Sequence, residues 1–120
     1  MTPVKVAKTH IKADVEDASI VVRFSAPELT LNHDVDLAVR EIDEVLAQSK
    51  APVLVINFAQ VRRLSSAFLG KLIGLHKRLS ANRRQLRLCG MSPDLANIYK
   101  IMNLQSLFKL YDSEEAAIKG

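Results

Sequence analysis

The residues of this chain that could do chemistry are few, and most lack the sequence partners that chemistry requires. The three histidines, His10, His33 and His76, do not fall at the short spacings typical of metal ligands, and Cys89 is the only cysteine. His76 lies in a helical pattern at the edge of an apolar face. It reads as a core-edge residue and not as a general base, because a base needs a positioned partner and none is implied. Cys89 sits in an apolar segment and reads as a small buried hydrophobe; alone, it can form no internal disulfide. Phosphate-binding GxxxxGK[ST], dinucleotide GxGxxG and nucleophile-elbow GxSxG patterns are all missing from the sequence. We therefore expect no catalytic residues, no metal and no cofactor. What stands out is the adjacent pair Ser65-Ser66, placed after a polar turn with Arg62 and Arg63 and before an amphipathic run. A serine hydroxyl at a helix start has two uses. It caps the helix, for which serine is a preferred residue, or it accepts a phosphoryl group where backbone N–H groups and the helix dipole welcome negative charge. Both readings stand on the residues alone.

The elements that must position these serines follow from periodicity. Ser19 to Phe24 is rich in β-branched and aromatic residues and predicts a strand, preceded by another near Val6 to Val15, with Glu16-Asp17 as the hairpin turn. Ala26-Pro27 breaks that pattern. Apolar residues at Val35, Ala38, Val39, Ile42, Val45 and Leu46 predict a helix over 34–48, with Asn32 as its N-cap. Val53-Leu54-Val55-Ile56 is a continuous apolar run, the signature of a strand covered on both faces. A second helix is predicted over 66–80, with Leu69, Leu72, Ile73, His76 and Leu79 on one face. Leu86 to Cys89 predicts a strand that exits at Gly90. Ser92 and Pro93 suit the cap and first position of a third helix whose stripe is Leu95, Ile98, Tyr99 and Met102. Leu107 to Tyr111 reads as a short last strand, and Asp112 with Glu115 as a capping box for a final helix. Strands alternating with helices predict an α/β fold with a mostly parallel sheet.

Composition sets the outer bounds. A chain of 120 residues, 48% hydrophobic and 25% charged, suffices for one globular domain with a real core. No apolar run reaches the length of about 20 residues that a membrane-spanning helix needs, and the start, MTPVKVAKTH, carries no signal-like apolar stretch. With the single cysteine this points to the cytoplasm. The net charge of +4 is unevenly spread: between Val45 and Pro93 there is no Asp or Glu, while Lys50, Arg62, Arg63, Lys71, Lys77, Arg78, Arg83, Arg84 and Arg87 all fall there. Such a stretch is either an ordinary solvated surface or a docking face for an acidic partner. A nucleic-acid interface is disfavoured, since the stretch interleaves only Phe58 and Phe68 as aromatics. Ser66, Gly70 and Gly74 recur every four residues and share one helical face. Close packing against a neighbouring element is the simpler account of that strip, and a flat face open to a partner is the other.

Four pieces of sequence then fall in a recognisable order. They are the strand Val53 to Phe58 followed by Val61, the segment Ser65-Ser66-Ala67-Phe68-Leu69-Gly70, the run Leu86 to Leu95, and Asn103-Leu104-Gln105-Ser106-Leu107-Phe108. Together, from Ser19 to Ile118, they resemble the STAS domain of anti-sigma factor antagonists. The resemblance implies a single domain over 1–120, its core about 10–118. It implies a SpoIIAA-like mixed sheet of four or five strands, with the N-terminal strand antiparallel and the helices mainly on one face. It also implies a non-catalytic bacterial signalling module that binds an anti-sigma factor or serine-kinase-like protein and regulates transcription by partner switching. Ser66 takes the place of the family's phosphorylated serine, with Ser65 as the alternative. Arg62, Arg63, Phe68, Gly70, Lys71 and Gly74 fall where the partner would dock. Two residues depart from the pattern: Ser65 replaces an aspartate and Phe68 a glycine. A constitutive scaffold with a decayed phosphorylation motif is the alternative function, and a basic nucleic-acid-binding domain a more distant one.

Overall fold

A computed structural model of the chain describes residues 3–120. Its centre is a six-stranded sheet in the order β1-β2-β3-β5-β7-β8. Strands β1 (Val4–Ala7) and β2 (Ile11–Val15) pair antiparallel, as do β2 and β3 (Ser19–Phe24). From β3 onward β5 (Val53–Asn57), β7 (Gln85–Cys89) and β8 (Leu110–Tyr111) run parallel, because each is reached through a helical crossover. The expected Glu16-Asp17 hairpin is present, closed by Glu16 N–H donating to the Ser19 carbonyl at 2.9 Å. The expected four or five strands become six, since the stretch Val6 to Val15 holds two strands and not one. The chain folds back within Lys8-Thr9-His10, where Lys8 N–H donates to the Ile11 carbonyl at 2.9 Å.

Helices α1 (Asn32–Ala47), α2 (Ser66–Ala81) and α3 (Pro93–Ile101) share one face of this sheet. Their buried residues, among them Ala38, Ile42, Leu69, Leu72 and Leu95, join Ile20, Val22, Leu54, Ile56 and Leu88 in one core. Alternate strand residues point the other way. Val21, Val55 and Cys89 face the opposite side, where Ala117 of α4 (Glu114–Lys119) covers them. A network of charges holds that short helix down: Arg23 donates to both Glu114 carboxylate oxygens at 2.6 and 2.7 Å and to Asp14 at 3.1 Å, and Asn57 Nδ2 donates to Glu114 at 2.5 Å.

Several local expectations shift. Asn32 is the first residue of α1 and not its cap; Leu31 holds that position and its carbonyl accepts from Val35 N–H, with no side-chain cap. The buried stripe of α2 is Phe68, Leu69, Leu72, Leu75 and Leu79, while Ile73 and His76 are half-buried. In α3 only Leu95 and Tyr99 are buried; Ile98 is more than a third exposed, and so is Met102, which lies just past the last helical residue, Ile101. The Leu107–Tyr111 strand shrinks to Leu110–Tyr111, preceded by a 3-10 turn at Leu104–Ser106. Ser113, not Asp112, caps α4, its hydroxyl accepting from Ala116 N–H at 3.1 Å. Glu41 is a charged residue among the buried ones of α1. Its carboxylate accepts from His10 N–H at 2.8 Å and Ile11 N–H at 3.3 Å, with His10 Nδ1 at 2.9 Å, so α1 is tied to the start of β2.

Candidate functional site

The serine pair sits where the loop after β5 turns into α2, and the backbone fixes that loop from two sides. Phe58 N–H donates to the Cys89 carbonyl at 2.9 Å, and Val61 N–H donates back to Phe58 at 2.9 Å with its side chain buried. Beyond it, β4 (Glu28–Leu29) pairs in parallel with β6 (Arg63–Leu64). Arg62 N–H reaches the Pro27 carbonyl at 2.7 Å and Ser65 N–H the Leu29 carbonyl at 2.9 Å. The proline that breaks the β3 pattern thus supplies an acceptor that anchors the site.

Ser65 is the N-cap of α2. Its backbone is extended (φ −87°, ψ 157°) and its hydroxyl accepts from Phe68 N–H at 3.2 Å. Ser66 is the first helical residue and is exposed. Ser65 therefore serves the helix as its cap, and Ser66 faces outward. No acidic side chain lies in the first turn of α2, so its positive end is uncompensated within the helix.

The other residues named from sequence divide sharply. Gly70 and Gly74 are exposed, and a Cβ added at either would meet nothing within 4 Å. Close packing on a neighbour is therefore not what the glycines provide; with Ser66 they form a flat, open strip along the outer face of α2. Lys71 beside it is exposed and pairs with Asp36 of α1 at 3.2 Å, and Arg63 pairs with Glu28 at 3.8 Å. Arg62 is exposed. Phe68 is the exception. It is 0% exposed and packs edge-on against Phe24 and Phe58, with centroids 5.5 and 6.2 Å away, so it supports the site from beneath and offers nothing to a partner. It lies inside because it shares the inward stripe of Leu72, Leu75 and Leu79.

The acid-free stretch is less basic in space than in sequence. Arg63, Lys71 and Arg78 each face a carboxylate, the last being Asp43 at 3.1 Å. These exposed pairs contribute little stability each, but they cancel much of the local charge. Sequence reasoning missed Glu28, Asp36 and Asp43 as partners, since nothing local signals contacts between distant elements. His76 packs edge-on against Phe108 at 5.0 Å, the core-edge role expected of it. Among the described residues no group of three or more His, Cys, Asp or Glu is placed to hold a metal ion, and no helix is long and apolar enough to cross a membrane.

A sheet with an antiparallel N-terminal hairpin, three helices on one face, and a serine-capped second helix after the central strand defines the class. The STAS domain family model matches residues 10–117, and the chain belongs to that family. Among solved structures it is similar to the anti-sigma factor antagonist SpoIIAA in its unphosphorylated form (TM-score 0.73, 21% identity, covering 88% of this chain and 91% of that one). It is also similar to an anti-sigma-factor antagonist (STAS) domain protein from Planctomyces limnophilus (TM-score 0.79, 20% identity, 94% and 98% covered). A third is a serine-to-glutamate variant of RsbS from Moorella thermoacetica (TM-score 0.74, 17% identity, 91% and 92% covered). At these identities the likeness establishes the fold.

Proposed function

We propose that this chain is a non-catalytic, cytoplasmic interaction module of the anti-sigma factor antagonist type, which binds an anti-sigma factor or serine-kinase-like protein and is switched by phosphorylation of Ser66. The observation that carries this reading is the division of labour at the start of α2. Ser65 takes the cap, which leaves an exposed hydroxyl on Ser66 at the head of the open Ser66-Gly70-Gly74 strip. A partner that fits this strip meets a neutral hydroxyl. Phosphorylation replaces it with about −1.5 to −2 charges. The helix N-terminus tolerates that charge, and the basic Arg62 and Arg63 precede it in the anchored loop, so the domain stays folded. The cost falls on the complex, where added bulk and like-charge contacts of several kcal/mol suffice to dissociate a micromolar partner.

Ser65 and Phe68, standing where the family has aspartate and glycine, favour one competing reading, a scaffold that binds constitutively. Affinity capture from the source cell, with mass spectrometry of both the partners and the peptide containing Ser66, separates the two. The switch predicts a kinase-like or anti-sigma-type partner and a fraction of Ser66 phosphorylated. A captured partner with unmodified Ser65 and Ser66 under every growth condition supports the scaffold.

A further inference from the structure

On the face that α4 covers, a row of side chains crosses the sheet at the C-terminal ends of its parallel strands. Arg23, Asn57 and Cys89 are cross-strand neighbours there, on β3, β5 and β7. Glu114, the first residue of α4, reaches two of them. Arg23 donates to its carboxylate at 2.6 and 2.7 Å, and Asn57 Nδ2 donates to it at 2.5 Å. These bonds from Arg23, opposed by burial and aided by Asn57, hold the Glu114 carboxyl below its ordinary 4.5, so it is a full acceptor at neutral pH. The other end of the Asn57 amide turns toward the chain that follows: Oδ1 accepts from Ala59 N–H at 2.8 Å. Both contacts demand one orientation of the amide, since Oδ1 has no hydrogen to give a carboxylate and Nδ2 accepts none from the backbone. Asn57 is thus a two-ended link between α4 and the start of the loop that leads to Ser66.

The rest of that loop is fixed by backbone bonds. Phe58 N–H donates to the Cys89 carbonyl and Val61 N–H to the Phe58 carbonyl, both at 2.9 Å. Further on, the Arg62 and Ser65 amides reach the Pro27 and Leu29 carbonyls. Between the strand end and these bonds, the Asn57 side chain holds Ala59. Gly90 closes on the same point from the end of β7. Its φ is +74°, and a Cβ there would lie 2.5 Å from Asn57 Oδ1 and 3.1 Å from the Ala59 nitrogen. Any larger residue would push the amide off both of its partners.

We propose that Asn57 is a positioning residue for the loop that presents Ser66, and that α4 regulates this presentation through the Glu114–Asn57–Ala59 link. With α4 in place, the start of the loop is fixed and the Ser66 strip meets a partner already ordered. With the Glu114 anchor released, the Asn57 amide loses one of its two holds and the loop loosens, so that ordering it on binding costs affinity. The effect on a partner rests on the Ser66 reading; the link itself does not.

Amide hydrogen exchange of the full chain, followed by NMR at neutral pH, tests the link without a partner. Glu114→Ala removes the α4 carboxylate and leaves the Asn57–Ala59 bond in place. It should speed exchange at Ala59 and Val61 by roughly threefold to tenfold, the size expected for weakening one hydrogen bond. In an Asn57→Ala background the same substitution should no longer change those two amides, because the link is already cut. A merely structural anchor would not give this non-additivity. Glu114→Gln weakens the acceptor without emptying its place; it should give a smaller change at the same amides and keeps the test open if Glu114→Ala does not fold. Unchanged rates at Ala59 and Val61 in both Glu114 variants, or an equal increase with and without Asn57, would overturn the proposal. If the rates respond as expected while Ser66→Asp leaves partner affinity unchanged, the link stands and the Ser66 reading fails. Unresponsive rates beside a weakened Ser66→Asp complex overturn the link alone.

Discussion

Ser65 and Ser66 are chemically identical neighbours, and alanine substitution should tell them apart. Ser65→Ala removes the hydroxyl that accepts from Phe68 N–H at 3.2 Å. Ser65 is half-buried and Phe68 fully so, which limits how well water can replace the lost acceptor. Loss of a serine cap costs about 1 kcal/mol, within a range of roughly 0.5 to 2. For a chain of 120 residues the unfolding entropy is about 0.25 kcal/mol/K, so Ser65→Ala should lower Tm by about 4 °C. Ser66 is exposed at the first helical position, where alanine is the better helix former. Ser66→Ala should therefore change stability by less than about 0.5 kcal/mol, or about 2 °C. Urea denaturation of the three proteins, with equal m-values, gives the comparison directly. A loss in Ser66→Ala equal to or larger than that in Ser65→Ala would refute the division of roles and would make Ser66 a structural residue.

Phe68→Ala should cost about 3 to 5 kcal/mol by opening a cavity among Phe24 and Phe58, as measured by denaturant midpoint. Gly74→Ala should instead raise stability by about 1 kcal/mol, because its Cβ enters open space and glycine is a poor helix former; a loss would reveal packing at that face. The His10–Glu41 pair gives a pH dependence of defined sign. The hydrogen bond that its ring donates to the Glu41 carboxylate, opposed by burial, holds His10 above its ordinary value of 6.5. Its contribution is thus fully present below about pH 6.5 and lost as pH rises through the raised value. Burial pushes Glu41 upward, but bonding to His10 and to the His10 and Ile11 amides outweighs it and holds the carboxyl below its ordinary 4.5. That contribution is present above about pH 4.5 and lost as pH falls through the lowered value. Glu41→Gln should flatten both limbs of a stability–pH profile.

Much of this architecture was legible in local sequence. The apolar run Val53 to Ile56 marked a central strand, and Ser92-Pro93 marked the start of α3 with its cap in place. The Phe68 side chain was also legible, since Phe68, Leu72, Leu75 and Leu79 recur at helical spacing. Motif alignment with a family glycine directed it to the surface, whereas the period places it in the core. The first hairpin was not legible, because Lys8-Thr9-His10 contains neither glycine nor proline to mark a turn. Nor were the ion pairs of Arg63, Lys71 and Arg78, or the Arg23–Glu114 anchor of α4, which join elements far apart in the chain. The two glycines of α2 were visible from their spacing, but only the open space around them excludes a packing seam.

The central claim is that an exposed hydroxyl at Ser66 controls a partner without controlling the fold. Titration of the captured partner with wild type, Ser66→Ala and Ser66→Asp, alongside the melting temperature of each, tests it most directly. The account predicts that Ser66→Ala binds like wild type and that Ser66→Asp binds at least about tenfold more weakly, a difference of about 1.4 kcal/mol, with Tm unchanged within about 2 °C. Equal affinity of Ser66→Asp and wild type would contradict it.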